Sequence, residues 1–168
     1  KVKIGIIADD LTGANDTGVL LAKNGFTSAT VVFGGEVPLN SDFTSISIDT
    51  DSRYCSPSNA EERVLKAYEQ LTIWGASVIG KRIDSTVRGN LGVETDVLLN
   101  AIGGNSVAVV VASYPDSGRV VSGGYLLVDG VPVEATDVAK DPMNPISISH
   151  VPTIMENQSQ LPVCHVGL

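Results

Sequence analysis

The stretch KVKIGIIADDLTGA (residues 1–14) decides the fold of this chain. Residues 2–8 form a short, almost wholly apolar run, which is typical of a strand buried on both faces of a sheet. Two adjacent aspartates, Asp9 and Asp10, follow this run directly. Residues 13–24 then show the apolar spacing of a helix. A buried strand, a polar turn and a helix in this order predict the opening unit of an α/β domain.

The same alternation continues along the chain. Ser56–Pro57, a hydroxyl cap followed by proline, predicts the start of a helix that ends at Gly75. A third helix is predicted over residues 88–102. Further strands are predicted at residues 30–33, 45–49, 77–83 and 107–112, the last being the most apolar. This pattern is typical of a doubly wound α/β fold with a mostly parallel sheet flanked by helices.

The C-terminal part departs from the alternation. Residues 123–133 contain Asp129–Gly130, a hairpin turn signal, and predict a small β-hairpin extension. Residues 151–157 predict a short helix, and residues 163–168 predict the start of another strand. We expect one domain over residues 1–168.

Composition narrows the class of protein. With 168 residues, 43% of them hydrophobic and a mean hydropathy of +0.19, the chain can bury a substantial core. Its net charge of -8 argues against nucleic acid or an anionic membrane as a partner. Cys55 and Cys164 fit neither a disulfide framework nor a metal-ligand spacing, so we expect free thiols in a protein of the reducing cytoplasm.

Polar side chains follow four of the predicted strands. They lie at Asp9–Asp10 and at residues 49–53, 81–88 and 114–119. Because the carboxyl ends of parallel strands point to one edge of a sheet, where ligands bind, these four clusters are predicted to converge.

Each cluster also has a purely structural interpretation. One of Asp9 and Asp10 suffices to cap the first helix. Residues 49–53 fit a local turn with an ion pair, and Ser85 or Thr86 fits a plain helix cap. A purely structural interpretation is weaker for the four clusters together than for any one of them, because all four fall on the same predicted edge.

The residue types point to a polyhydroxy acid as ligand. A helix start at Ser85/Thr86 offers backbone N–H groups, and nearby cations add formal charge that suits a carboxylate. These cations are Lys81, Arg82 and Arg88. Acidic side chains accept hydrogen bonds from sugar hydroxyls, and one of them can take a proton from an attacking hydroxyl. The acidic candidates are Asp9, Asp10, Asp51 and Asp84.

Other common sites are missing from the sequence. There is no G-x-x-x-x-G-K-[ST] loop, and no G-x-G-x-x-G follows the first strand. His150 and His165 are isolated and favour structural roles. The DDLTG segment resembles the aspartate-nucleophile loop of haloacid-dehalogenase phosphatases, although that loop has Asp-x-Asp. A phosphatase with Asp9 as nucleophile is therefore one alternative.

Five segments together resemble the four-carbon acid sugar kinase family, which includes 3-oxo-tetronate, threonate and erythronate kinases. They are ADDLTGANDTG (8–18), DTDSR (49–53), KRIDSTVRGNLG (81–92), YPDSGRVVSGGYLLVDGVPV (114–133) and DPMNPISISHV (141–151). Members of that family have an N-terminal half that binds the acid sugar and a C-terminal half with a glycine-rich nucleotide site. The resemblance implies that this chain is the sugar-binding half and that it ends, at Leu168, before any nucleotide domain.

The resemblance implies an ATP-dependent phosphoryl transfer to a terminal hydroxyl of the sugar acid. We expect ATP and Mg²⁺ to be bound mainly by a C-terminal domain outside this sequence, and this fragment to be inactive alone. No residue is assigned to a metal. Asp10 and Asp84 are the candidate catalytic bases. The candidate substrate-binding residues are Asp9, Asp10, Asp51, Arg53, Lys81, Arg82, Asp84, Ser85, Thr86, Arg88, Asp116 and Arg119.

One alternative from another class stays open, a stand-alone module that binds an acid sugar without chemistry. The expected partner in either case is a small four-carbon acid sugar. Whether the chain forms a homo-oligomer is also open.

Overall fold

The computed structural model of the protein describes residues 2–167, which form two compact units that divide between Ile83 and Asp84. The first unit contains the parallel sheet, and the second contains a helical pair and a small antiparallel sheet. The α/β class and the mostly parallel sheet are confirmed. The single domain over residues 1–168 stays a prediction.

The first unit alternates strands and helices. Its elements are β1 (Ile4–Ala8), α1 (Leu11–Lys23), β2 (Ser28–Val31), β3 (Ser45–Asp49), α2 (Pro57–Trp74) and β4 (Val78–Arg82). The strands form one sheet in the order β2-β3-β1-β4, and every neighbouring pair is parallel. The second strand begins and ends two residues before the predicted segment, and β3 has the predicted bounds.

The two helices of this unit cover opposite faces of the sheet. A Cβ built on Gly5 would lie 2.8 Å from Leu71 of α2, so this face of β1 packs on α2. The next residue, Ile6, pairs with Ser47, and the hydroxyl of Ser47 lies 3.7 Å from a Cβ built on Gly18 of α1. Because successive residues of a strand point to opposite faces, α1 and α2 lie on opposite sides. The sheet is therefore doubly wound, as predicted.

Capping residues mark the start of both helices of this unit and the end of α2. Asp10 accepts a hydrogen bond from Gly13 N–H at 2.8 Å and so caps α1, which begins two residues before the predicted segment. Ser56 caps α2 with Pro57 in its first turn, and α2 ends at Gly75 in the left-handed conformation, φ 91°.

Strand order creates a crevice between the carboxyl ends of β1 and β3. From β1 the chain runs through α1 past β3 to β2, and from β3 it runs through α2 past β1 to β4. Neighbouring strands thus send the chain to opposite faces, which is the topological switch point where open α/β sheets bind ligands. The turns that start at Asp9 and at Asp49 meet there.

The second unit contains α3 (Leu91–Ile102), α4 (Val151–Gln158) and an antiparallel sheet. The sheet is made of β5 (Arg119–Ser122), β6 (Tyr125–Val128) and β7 (Val131–Pro132). Asp129 and Gly130 have φ of 51° and 82° and join β6 to β7, so the predicted hairpin is confirmed. The short helix is confirmed as well. No helix within residues 2–167 is both long and apolar enough to cross a membrane.

The predicted strand at residues 107–112 is wrong, since no strand of the described chain includes these residues. Val107, Val109 and Val111 are 83%, 86% and 71% exposed. High β-propensity makes a segment fit for a sheet, but a strand exists only where a neighbour pairs with its backbone.

The predicted helix start at Ser85/Thr86 is also wrong. These two residues lie in a turn, and α3 begins at Leu91 after Asn90, three residues later than the predicted position 88. Val87 and Gly89 have φ of 59° and 98°, which a right-handed helix cannot include.

The strand predicted at residues 163–168 is absent from residues 163–167. Leu168 lies outside the described residues.

Candidate functional site

Arg53 joins the two aspartates that follow β1. Its Nε and Nη2 donate to the two carboxylate oxygens of Asp9 at 2.8 and 3.1 Å, which is a bidentate pair. Its Nη1 lies 3.0 Å from Asp10 Oδ2. The side chains of Arg53 and Asp9 are only 11% and 4% exposed. The cation that balances Asp9–Asp10 therefore arrives from the end of β3.

Asp10 has two structural duties at once. Its Oδ1 caps α1 through Gly13 N–H, while its Oδ2 faces Arg53. Its side chain is 28% exposed, so Asp10 is the more accessible of the two aspartates. Both oxygens of Asp9 are bound to Arg53, and this disfavours Asp9 as the nucleophile of a phosphatase, because an attacking carboxylate needs an accessible oxygen.

Backbone hydrogen bonds hold the β3 turn against β1. Thr50 N–H donates to the Ala8 carbonyl at 2.9 Å, and Ser52 N–H donates to the Asp9 carbonyl at 3.0 Å. These contacts extend the ladder beyond the two strands and place Arg53 beside Asp9. The crevice is thus built by the parallel register itself.

Asp49 and Asp51 have different surroundings within this turn. Asp49 is buried, its Oδ1 accepts a hydrogen bond from Asp51 N–H at 2.8 Å, and burial raises the pKa of its carboxyl. Asp51 adopts a positive φ of 47°, and its side chain is 66% exposed. Arg63 of α2 lies 3.1 Å from Asp51 Oδ2 and stacks on the ring of Phe33 at 4.2 Å. The sequence reasoning missed Arg63, because it lies mid-helix outside all four clusters.

Lys81 and Arg82 point to opposite faces of β4, since successive residues alternate. Lys81 Nζ donates to the Arg82 carbonyl at 2.9 Å. Arg82 pairs with Ala8, and its Cγ lies 3.2 Å from a Cβ built on Gly13. Arg82 therefore lies beside the first turn of α1, where a side chain larger than glycine at position 13 would crowd it.

In the second unit, Arg88 is held by two carboxylates. Its Nε and Nη2 donate to Asp84 at 2.7 and 3.2 Å, and its Nη1 donates to Asp141 Oδ2 at 3.0 Å. Thr86 Oγ1 donates to Asp84 Oδ2 at 2.6 Å. Instead of starting a helix, Thr86 thus fixes the aspartate that orients Arg88. Ser85 lies partly exposed in the same turn.

Asp141 was not among the predicted site residues. It follows Arg88 by 53 positions and lies in the DPMNP segment, so only the fold could place it there. A signal was present in the sequence, since that segment is one of the five that carry the family resemblance.

The cluster at residues 114–119 stabilises the small antiparallel sheet. Arg119 Nη1 donates to the Ser117 carbonyl, and a Cβ built on Gly118 would overlap the Asp129 carboxylate at 2.0 Å. Asp116 lies exposed in a single 3-10 turn, Pro115–Ser117. The substrate-binding roles of Asp116 and Arg119 stay predictions.

The acidic residues do not form a metal-ligand set. Among the described side chains, no group of three or more His, Cys, Asp or Glu is arranged to hold a metal ion. Asp9 and Asp10 share Arg53, and Asp84 and Asp141 share Arg88, so both carboxylates of each pair already contact a cation.

Comparison with known proteins gives a consistent result. A family model described as a sugar-binding N-terminal domain matches residues 4–168. Among curated relatives, the D-erythronate kinase of Heliobacterium modesticaldum is 48% identical over 97% of this chain and 38% of its own length. The D-threonate kinase of Salmonella typhimurium is 37% identical over 99% of this chain and 39% of its own length. The 3-oxo-tetronate kinase of the same species is 34% identical over 95% of this chain and 39% of its own length.

Solved structures show the same fold. A crystal structure from Bordetella bronchiseptica, a domain-swapped dimer with bound citrate, has a TM-score of 0.82 at 34% identity, covering 91% of this chain and 39% of that one. A protein of Haemophilus influenzae has a TM-score of 0.82 at 29% identity, covering 93% of this chain and 39% of that one. The chain thus spans about two fifths of the length of the relatives it matches.

Proposed function

Because this chain belongs to the family of sugar-binding N-terminal domains, we propose that it binds a four-carbon sugar acid for phosphorylation by ATP. The observation that carries the proposal is that Arg53 and Arg88 are each fixed by two carboxylates, within segments that resemble those of the kinases. Cations suit a carboxylate, and accessible aspartate oxygens suit hydroxyl groups. A sugar acid presents both kinds of group.

Within the second unit, we assign the carboxylate of the ligand to Arg88. Roles for Lys81 and Arg82 in binding it stay predictions from the sequence. Arg88 is 23% exposed and is oriented by Asp84 through two hydrogen bonds, so its position is fixed before a ligand arrives. An arginine that is already oriented loses little side-chain entropy when it binds a carboxylate.

Within the first unit, Asp10 and Asp51 suit hydroxyl groups, since their side chains are 28% and 66% exposed. We assign supporting roles to Asp9 beside Arg53 and to Asp84 beside Arg88. Between the two candidate bases the geometry favours Asp10. The side chain of Asp10 is 28% exposed, whereas that of Asp84 is only 7% exposed. A general base must reach the proton that it abstracts.

ATP would supply the phosphoryl group. Phosphoryl transfer depends chiefly on positioning and electrostatic stabilisation, and the residues of this chain would contribute by orienting the attacking hydroxyl. The relatives are named as erythronate, threonate and 3-oxo-tetronate kinases, and the Bordetella structure contains citrate, a hydroxy acid. Both facts support this class of ligand.

Titration calorimetry tests the proposal. D-erythronate, D-threonate and 3-oxo-tetronate would be titrated into this chain and into the longest natural chain that contains it. Arg88→Ala should weaken binding by about 2–5 kcal/mol, because it removes a charged partner of the carboxylate. Lys140→Ala is the matched control, since the Lys140 side chain is 79% exposed and pairs with Asp137. No heat with any of the three acids would contradict the proposal.

We also propose that the chain self-associates. Val107, Val109 and Val111 form an exposed apolar run, and such a run favours pairing with another chain. The domain-swapped dimer of the Bordetella relative agrees with this expectation. Light scattering coupled to size exclusion would test it, and a monomer at all concentrations would contradict it.

A further inference from the structure

Arg88 contacts two carboxylates, Asp84 and Asp141, and the two contacts differ in strength. Asp84 is the close partner, since it meets Nε and Nη2 of Arg88 side-on and is itself fixed by Thr86. Asp141 accepts a hydrogen bond from Nη1 at 3.0 Å and comes from a loop far along the chain. The loop contact is therefore the weaker of the two.

The loop that carries Asp141 is closed at its base. Ile146 N–H donates to the Ala139 carbonyl at 3.0 Å, which makes residues 140–145 a short loop between fixed ends. Asp141 Oδ1 accepts hydrogen bonds from Met143 and Asn144 N–H at 2.9 and 3.0 Å. One oxygen of Asp141 thus shapes the loop, while the other contacts Arg88.

Charge makes the Asp141 contact an obstacle to an anionic ligand. Asp141 Oδ2 accepts a hydrogen bond from Nη1 of Arg88 and carries the same sign of charge as the carboxylate of a sugar acid. A ligand carboxylate that approached this nitrogen would be repelled as long as Asp141 stayed in place. Arg88 and Asp141 are 23% and 13% exposed, so solvent screens this repulsion only in part.

We propose that Asp141 is an internal carboxylate that occupies Arg88 until the carboxylate of the sugar acid replaces it. The inference rests on the proposed function, since it assigns the ligand carboxylate to Arg88. Binding would then release the DPMNP loop from Arg88 while Asp84 keeps the guanidinium oriented. Asp141 would tune affinity by competition, and a ligand without a carboxylate would leave it in place.

Asp141→Asn is the variant that tests the proposal. The asparagine oxygen can still accept from Met143 and Asn144 N–H, so the loop keeps its shape while the competing charge is removed. Calorimetry with D-erythronate and D-threonate should show binding tighter by about two- to fivefold, the range expected for one partly exposed ion pair. The neutral polyols erythritol and threitol should show no change between wild type and variant.

Asp137→Asn is the matched control. Its side chain is 95% exposed and pairs with Lys140, so this variant removes one negative charge from the same region without touching Arg88. The control should bind the acids like the wild type. If both variants tightened binding equally, the effect would be general electrostatics and the inference would be wrong.

The remaining outcomes separate the two proposals. If the wild type binds a sugar acid and Asp141→Asn binds it equally or more weakly, the competition is refuted and the proposed function stands. If neither protein binds any sugar acid, both proposals fail. Binding by Asp141→Asn alone would support both.

Discussion

Both units of this chain hold an arginine between two carboxylates, and they build that arrangement in different ways. In the first unit, Arg53 meets Asp9 and Asp10 because the parallel register of β1 and β3 brings their turns together. In the second, Arg88 meets Asp84 within a turn and Asp141 from a loop. At the sheet edge the charges are positioned by pairing between backbones, whereas in the loop they are positioned by hydrogen bonds from carboxylates to nearby backbone N–H groups.

Burial follows the same division. The Arg53 side chain is 11% exposed, and that of Arg88 is 23% exposed. A more buried ion pair loses more when one partner is removed, because the remaining charge cannot be rehydrated in place. We therefore expect the ion pairs of Arg53 to contribute more to stability, and those of Arg88 to rearrange more readily when a ligand binds.

The largest loss of stability is expected for Asp9→Ala. It removes both carboxylate oxygens of the bidentate pair and leaves a buried guanidinium without this partner. Urea unfolding should show a loss of about 3–5 kcal/mol. Asp16→Ala, on an exposed position of α1, is the control and should change stability little. Equal losses in the two variants would show that the Arg53 cluster is not the stabilising feature.

Asp84→Ala should lower the free energy of unfolding less than Asp9→Ala does. It removes the acceptor for Thr86 and the side-on partner of Arg88, while Asp141 still contacts that arginine. A loss of about 2 kcal/mol in urea unfolding is expected for charged hydrogen bonds of this kind. Asp137→Ala serves as the exposed control. A loss larger than that of Asp9→Ala would reverse the proposed ranking of the two clusters.

Asp10→Ala should cost about 1 kcal/mol, the usual value for a lost helix cap. Its link to Arg53 is the more exposed one, so we expect little beyond the cap. Asp10→Asn is the useful partner variant, because its side-chain oxygen can still accept from Gly13 N–H. Stability of Asp10→Asn as low as that of Asp10→Ala would mean that the charge facing Arg53, not the cap, is what matters.

The smallest effect concerns Asp49, and it depends on pH. Burial raises the pKa of its carboxyl in the folded protein, so the folded state binds this proton more tightly than the unfolded state does. The stability that this proton confers is present below the ordinary pKa of 3.8 and is lost as pH rises through the raised folded-state value. Asp49→Asn does not titrate at this position. Its stability relative to wild type should therefore increase as pH rises from 3.8 through the raised folded-state pKa of Asp49, and it should level off above that pKa. Urea midpoints measured from acidic to neutral pH would show this, and a constant difference would contradict it.

The sequence predicted the elements of the first unit well and those of the second unit only in part, for a physical reason. Apolar runs, Ser56–Pro57 and Gly75 are local signals, and the helices and strands of the first unit appear close to where those signals lie. At residues 107–112 the local signal is equally strong, yet these residues form no strand in the described chain. Backbone pairing depends on a neighbour that the segment itself does not encode.

The sequence by itself determined the α/β class, the start of α2 at Ser56–Pro57, the Asp129–Gly130 turn and the segments that resemble those of the acid sugar kinases. Only the tertiary structure decided which charges pair. It placed Arg53 on aspartates 43 and 44 positions earlier, and Arg88 on Asp141, 53 positions later. The reason is that helix, turn and cap preferences act between residues a few positions apart. An ion pair forms wherever the folded backbone brings two side chains within reach, and a linear pattern does not contain that distance.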